Sequence, residues 1–466
     1  MHLYDMLGLA AYFILLVWIG YRSARQVHSS ADFAVAGNRI TWPILFATLA
    51  ASFLGGGASL GRAGKAFEDG YVFMFAASAF PIATILAGLY VAPKLKRYAG
   101  AQTVGDIMQH HYGSAARLAT GLFSLVFCIG VLGAQALAVG TLFNAVLGVD
   151  FATGIIAGMA VVLLYSTVGG IWAVIQTDVV QFLMLALCLP LTMVITLQQV
   201  GGAEALIARL PEAHFSLMGD YSLAAFLSIF IAFLLGETLV PPYTQRALAA
   251  PDARNARIGY SIAGLFGLLF YFVSSTIGLL ALVLYPDISA DQALPALVRS
   301  ALPVGITGLV LAALLAVVMS TADSYLNSAA VIFVKDIYQP FVAPQMDERH
   351  RLWIERIVNL VIGSGAVLFA LYATSIIDAL LLSYVFWAPT ILIPFVLAVV
   401  FDLKCRRAAL LAMLAGALTS LLWQWGPFEL EQASGLSALI AGVLVNILVF
   451  TLVYRRYATK ARSGEV

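Results

Sequence analysis

Cysteine is scarce in this chain of 466 residues, which has only Cys128, Cys188 and Cys405. They lie far apart and two fall in apolar segments, so neither a disulfide framework nor zinc-ligand spacing follows. Charge is sparse as well, at 11% of residues, with 25 basic against 24 acidic side chains. No basic block is present, which removes the footprint expected of a nucleic-acid partner. Histidine is limited to six residues, and the adjacent pair His110-His111 points to opposite sides of any regular element. A phosphate-cradling loop, a nucleophile-base pair and a long polar linker are also missing, so neither an enzyme nor a multidomain architecture is expected. The first apolar stretch, Leu7 to Gly20, has no basic leader or cleavage signature and reads as a retained span.

What the chain has in abundance is apolar surface, at 62% hydrophobic residues. That composition demands many segments of about 20 apolar residues each, the length that crosses a bilayer. Turn and charge signals divide the sequence into thirteen expected spans in one membrane domain, residues 1–466. One span lies at 5–21, five at 42–198, five more at 222–401 and two at 408–454. With the amino terminus outside, cytoplasmic loops hold every basic residue except Arg62, Lys65, Arg209 and Arg299, and Arg246 is counted among the cytoplasmic ones. The expected location is the plasma (inner) membrane, multi-pass, with the carboxyl terminus in the cytoplasm. Thr103 to Gln109 is too short to span and reads as an interfacial helix, and Ala290 to Leu302 as a short external cap.

The stretch around which the rest is arranged is Ser52-Phe53-Leu54-Gly55-Gly56-Gly57-Ala58-Ser59-Leu60-Gly61. Each glycine costs about 1 kcal/mol against alanine inside a helix, so three in a row favour local unwinding. Unwound backbone at membrane depth persists only where it is buried in protein or lines a cavity, and a cation is an obvious acceptor of spare carbonyl lone pairs. The alternative is close helix packing through small residues. A second interruption is expected at Gly236-Glu237-Thr238-Leu239-Val240-Pro241-Pro242, where two prolines remove two backbone donors beside an acid. The two breaks each open a run of five spans, a pattern that points to an inverted-repeat transporter with its site at the midplane.

The span at 304–337 carries the densest polar cluster. Ser320, Asp323, Ser324 and Asn327 share one helical face, with Thr321 beside them. Adjacent hydroxyls together with unwound carbonyls suit a monovalent cation, and a carboxylate at that depth usually marks an ion pathway. Glu237 reads either as a partner for backbone groups freed near the prolines or as a recognition group for a substrate amine or hydroxyl.

Three blocks then occur in order: Tyr165 to Asp178, Gln245-Arg246-Ala247-Leu248-Ala249-Ala250, and Met319 to Ser328 followed by Asp336-Ile337-Tyr338. In these the chain resembles the sodium:solute symporter family over nearly its whole length. The resemblance implies an all-α integral membrane protein of thirteen helices with the LeuT-type five-plus-five inverted repeat, one extra helix before it and two after. It implies a main sodium site made of the carbonyls of Ala51, Leu54 and Val317 and the hydroxyls of Ser320 and Thr321. It also suggests a second sodium among Asp178, Ser320, Asp323 and Ser324, with a proton shared by Asp178 and Asp323 as the alternative. The substrate-binding positions would be Phe53, Ala58, Ala77, Phe80, Gln135, Glu237 and Val240. The glycine run is most similar to the choline-carrier branch, but Phe53, Phe80, Val131 and Val240 make a weaker cage for a quaternary ammonium than that branch has. The expected activity is sodium-coupled import of a small organic solute by alternating access, with Na+ and the solute as partners in a lipid bilayer and a monomer as the working unit. A proton-coupled carrier of the same fold and a non-transporting solute sensor are the rival readings.

Overall fold

The computed structural model describes residues 2–463 except 26, 28, 99, 373–374 and 427–435, and its regular structure is helical. Residue 435, where the last expected span begins, lies outside that set. Among the described residues ten helices are long and apolar enough to cross a membrane, and twelve if each of two bent pairs counts as one span. Phe151–Thr167 is a further, shorter apolar helix.

Burial sorts these helices into an inside and an outside. The helix Ile306–Ile332, which carries the polar cluster, belongs to a span whose most apolar window is 89% buried, whereas Leu3–Ser23 and Glu348–Ala370 are each 28% buried. The polar helix is thus the axis of the bundle. It packs against Leu3–Ala24, Ser114–Leu142 and Phe151–Val200. The peripheral helices turn large apolar side chains outward, among them Ile14, Leu187 and Val361, as a lipid-facing belt requires. Polar groups are confined to the middle because hydrocarbon offers them no partner.

Both expected interruptions are present. The first broken span runs Trp42–Phe53, then Gly57–Asp69, with a 62° bend, and the second runs Leu223–Gly236, then Pro241–Ala249, with a 44° bend. The cause of the first differs from the expectation. None of Gly55, Gly56 and Gly57 has positive φ, and Gly56 is helical at φ −55°, ψ −38°. The chain leaves the helix at Leu54 (φ −102°, ψ 34°) and resumes as a π-turn over Gly57–Gly61. The glycines serve close approach instead. A Cβ on Gly55 would come within 2.8 Å of Gln135 Oε1 and closer still to Thr321 Oγ1. One on Gly56 would lie 2.5 Å from Ala138 Cβ, and one on Gly57 would overlap Leu380.

At the second break the prolines occupy the first positions of Pro241–Ala249, where a missing N–H costs nothing. Leu239 takes positive φ, 57°, to make the turn. The freed carbonyls are met locally: Trp387 Nε1 donates to Thr238 O at 2.9 Å and Thr244 Oγ1 to Leu239 O at 2.7 Å. The stretch expected as an interfacial helix forms Val104–Tyr112, opened by a capping box between Thr103 and Asp106. A short helix, Ala293–Ser300, stands within the expected cap.

A third irregularity lies in the long helix Phe151–Val200, which is broken at Gly170 (φ 52°, ψ −152°). That backbone region is essentially closed to residues with a Cβ, and a Cβ here would also overlap Phe33. Gly170→Ala is expected to cost about 1 to 3 kcal/mol of stability. A lowered melting temperature of the purified protein checks it, and an unchanged one would show that the neighbouring helix simply shifts.

Candidate ion and solute site

The site begins with a shortage of protons. Carbonyls in the last turn of a helix have no intrahelical donor, so the end of Trp42–Phe53 presents spare lone pairs to the polar helix. Ser320 Oγ lies 2.9 Å from Ala51 O and 2.8 Å from Val317 O. Thr321 Oγ1 lies 3.1 Å from Ser52 O and 3.3 Å from Val317 O. Each hydroxyl has one proton for two carbonyls, so the cluster is rich in hard oxygen acceptors and poor in donors. All these residues are buried. Of the expected main-site residues, Ala51, Val317, Ser320 and Thr321 are brought together, and Ser52 joins them. Leu54 sits at the break, and among the described residues neither hydroxyl donates to it.

One turn along the polar helix is a charged network. Arg246 Nη2 donates to Asp178 Oδ2 at 2.9 Å and to Ser324 Oγ at 2.6 Å, and its Nε to Thr48 Oγ1 at 2.8 Å. Thr48 Oγ1 in turn donates to Asp178 Oδ2. Ser324 reaches Asp323 Oδ1 at 3.3 Å and Ser52 Oγ at 3.0 Å, and Tyr165 donates to Asp323 Oδ2 at 2.7 Å. Asp178 Oδ1 is buried and has no hydrogen-bond partner among the described residues. Of the four residues expected at a second ion site, Asp178, Asp323 and Ser324 share this network, and Ser320 meets it only through its carbonyl, which accepts from Ser324 Oγ at 2.5 Å. Two features were not anticipated. Arg246, counted as cytoplasmic from the sequence, is 1% exposed inside the bundle, because every residue of Pro241–Ala249 is buried there. Tyr165, read only as part of a motif, supplies a donor to Asp323.

Beside the first break is a small cavity of about 20 Å³, lined among others by Ser52, Phe53, Gly55, Ala58, Arg62, Gln135, Phe233, Glu237, Tyr271, Thr321 and Tyr384. It shares Ser52 and Thr321 with the oxygen cluster, so ion and solute could be bound side by side. Gln135 Oε1 accepts from Gly56 N–H at 2.8 Å and ties the break to Ser114–Leu142. Glu237 does not bond to the backbone near the prolines, one of the two roles expected of it. Three tyrosine hydroxyls surround it instead: Tyr243 at 2.6 Å and Tyr325 at 3.1 Å on Oε1, and Tyr384 at 2.9 Å on Oε2. Burial of a carboxylate demands such donors, and these come from three different helices.

Of the expected substrate positions, Phe53, Ala58, Gln135 and Glu237 line this cavity, whereas Ala77, Phe80 and Val240 are buried and do not line it. Phe80 packs edge-on against Phe53 at 5.3 Å, and Tyr243 does so at 4.4 Å. Val131, also compared with the aromatic cage, is fully buried and does not line the cavity. Arg62 was visible in the sequence only as one of the basic residues outside the cytoplasmic set. It is 2% exposed, and its guanidinium carbon lies 3.2 Å from the ring centroid of Tyr271.

Two broken spans facing one polar helix over an oxygen cluster and a cavity define a membrane transporter that couples a solute to an ion. Comparison with known proteins agrees. The profile of the sodium:solute symporter family matches residues 33–416, and the chain belongs to that family. It is therefore a multi-pass, sodium-coupled secondary active symporter of a small organic solute and not an enzyme, and the proton-coupled and sensor readings are not favoured. The osmoregulated proline transporter OpuE of Bacillus subtilis (strain 168) is 25% identical over 95% of this chain and 94% of its own length. The human high affinity choline transporter 1 is 26% identical over 80% of this chain and 69% of its own. In fold, a Na+-coupled sialic acid symporter solved in a substrate-bound outward-open state superposes with TM-score 0.83 at 18% identity, covering 97% of this chain and 98% of the other.

The Arg246–Asp178 pair makes a quantitative prediction. Removing one member of a buried pair strands the other charge, at a cost of about 3 to 5 kcal/mol. Arg246→Gln and Asp178→Asn should each lower the unfolding temperature markedly. The double variant should be more stable than the sum of the two losses implies, with a coupling of about 1 to 3 kcal/mol. Additive losses would mean that the pair has no net interaction.

Proposed function

We propose that sodium occupies the oxygen cluster formed by the carbonyls of Ala51, Leu54 and Val317 and the hydroxyls of Ser320 and Thr321, and that the solute occupies the adjoining cavity beside Phe53, Ala58, Gln135 and Glu237. The observation that carries this reading is the proton count: two hydroxyl protons serve the carbonyls of Ala51, Ser52 and Val317. A monovalent cation takes up the lone pairs that those protons leave over. It also joins the polar helix to the first broken span, so that ion binding stiffens the wall of the solute cavity. Ser52 and Thr321 belong to both sites, which gives a physical route for coupling. Inward movement of one sodium gains about 2.3 kcal/mol per 100 mV of membrane potential, before its concentration gradient is added.

The finer architecture belongs to the same proposal. Counting each bent pair as one span and Phe151–Thr167 as another supports thirteen spans, and the bias of basic residues supports an external amino terminus. The five-plus-five layout rests on the position of the two breaks. Both sites are built within one chain, which supports a single copy as the working unit.

A second ion is supported by one observation, the buried Asp178 Oδ1 without a partner, close to Ser324 and Asp323 in one hydrogen-bond network. Arg246 already supplies one positive charge there against two carboxylates. Room for one more cation remains on grounds of charge, and either a sodium ion or a proton could fill it.

Thr321→Ala should raise the sodium concentration for half-maximal uptake by tenfold or more while the protein still folds, since loss of one ligand of about 1.4 kcal/mol corresponds to that factor. Wild-type sodium dependence in this variant would remove Thr321 from the site. For the second ion, flux ratios at fixed membrane potential are decisive. Two sodium ions per solute, falling to one in Asp323→Ala, is the expected result, and a ratio of one in the unmodified protein would eliminate that ion.

A further inference from the structure

The solute cavity holds two fixed charges that differ in how they are satisfied. Glu237 is surrounded by hydroxyls of Tyr243, Tyr325 and Tyr384, so its lone pairs are well used, while Arg62 answers its charge only from a distance and without an ion pair. Arg62 is the reverse case. Its guanidinium lies over Tyr271, with the ring centroid of Phe233 at 5.3 Å, and both Nε and Nη2 are buried without an acceptor among the described residues. Among the described residues no ion pair joins Arg62 to Glu237 or to any other carboxylate. An aromatic face offsets only part of the desolvation of a guanidinium, so this is an uncommon state for a buried arginine.

The two idle donors are not arbitrary. Nε–H and one Nη2–H project in parallel from one edge of the guanidinium, the edge that matches a carboxylate in bidentate fashion. Stacking on Tyr271 fixes the plane in advance, which lowers the ordering cost when an acceptor arrives. We propose that Arg62 is the carboxylate anchor of the transported solute, and that the solute is a small zwitterion whose cationic nitrogen faces Glu237. The proposal rests on the symport reading only in taking this cavity as the cargo site.

Charge complementarity excludes the neighbouring classes. A simple carboxylate would satisfy Arg62 but would leave the charge of Glu237 unanswered. A quaternary amine without a carboxylate would satisfy Glu237 and meet the guanidinium as a like charge. A neutral sugar would leave both Arg62 donors without a charged partner, and a site built for a charged group rejects a ligand that lacks it.

The test uses the purified full chain in lipid nanodiscs, with binding followed by calorimetry and thermal shift in sodium and in potassium. The probes are L-proline, L-alanine and glycine betaine as zwitterions, L-proline methyl ester, cyclopentanecarboxylate, choline and glucose. At least one zwitterion should bind in sodium, and the ester, the simple carboxylate, choline and glucose should each bind at least tenfold more weakly. Arg62→Gln should lose 10- to 100-fold in affinity for that zwitterion, with the ester affected little. Arg62→Lys should recover part of the loss, because it restores the charge without the fork. A merely structural role for Arg62 would weaken all probes alike and would not change the preference for carboxylate over ester. The proposal is overturned if the tightest probe lacks either charge, if no zwitterion binds, or if Arg62→Gln keeps the full carboxylate preference. Sodium alone should raise the melting temperature of the protein and fail to do so in Thr321→Ala. Failure of that control would sink the sodium-site reading, whereas its success with no zwitterion bound would sink only the present one. Should Arg62→Gln not fold, the comparison of proline, its ester and cyclopentanecarboxylate on the unmodified protein still decides.

Discussion

The polar helix is fastened to the end of the first broken span by hydroxyl-to-carbonyl contacts, from Ser320 to Ala51 and from Thr321 to Ser52. In hydrocarbon no apolar driving force distinguishes one helix pairing from another, so such contacts fix register and depth. Everything else at the centre follows from this fastening. The glycine run must be free of side chains because Thr321 and Gln135 stand where a Cβ would go. The break must fall at Leu54 so that spare carbonyls point at the hydroxyls. The cavity is lined by two of the same residues, Ser52 and Thr321.

A second constraint is the placement of charge. Each half-helix that follows a break carries a buried arginine, Arg62 in Arg62–Asp69 and Arg246 in Pro241–Ala249. The acid related to each comes from elsewhere: Glu237 from the second break lies across the cavity from Arg62, and Asp178 from the helix Phe151–Val200 pairs with Arg246. The Arg246–Asp178 pair ties the second broken span to Phe151–Val200, so any rearrangement of those two elements must keep or exchange that contact.

Much of this was legible in the chain. Two interruptions, the hydroxyl pair and the shared face of Ser320, Asp323 and Ser324 are local features, and local spacing reports them faithfully. The failures have a common cause. Arg246 read as a cytoplasmic charge because its partners Asp178 and Thr48 lie 68 and 198 residues away. The tyrosines around Glu237 are up to 147 residues distant, so its role was sought in the adjacent backbone. The reason given for the glycine run was conformational, whereas the structure uses those residues for close approach across helices, a demand made by residues 79 and more positions away. Ala77, Phe80 and Val240 were placed by correspondence with the family, and they are buried without lining the cavity.

Arg246 is attached to the chain, and this sets it apart from any ion that could neutralise Asp178. Occupancy by a dissolved cation obeys mass action and falls as the medium is diluted, while a guanidinium held by peptide bonds has the same local concentration in every medium. Neutralisation of Asp178 is therefore independent of the composition of the solution on either side of the membrane. The carboxylate is thereby partly quenched whichever ions are present.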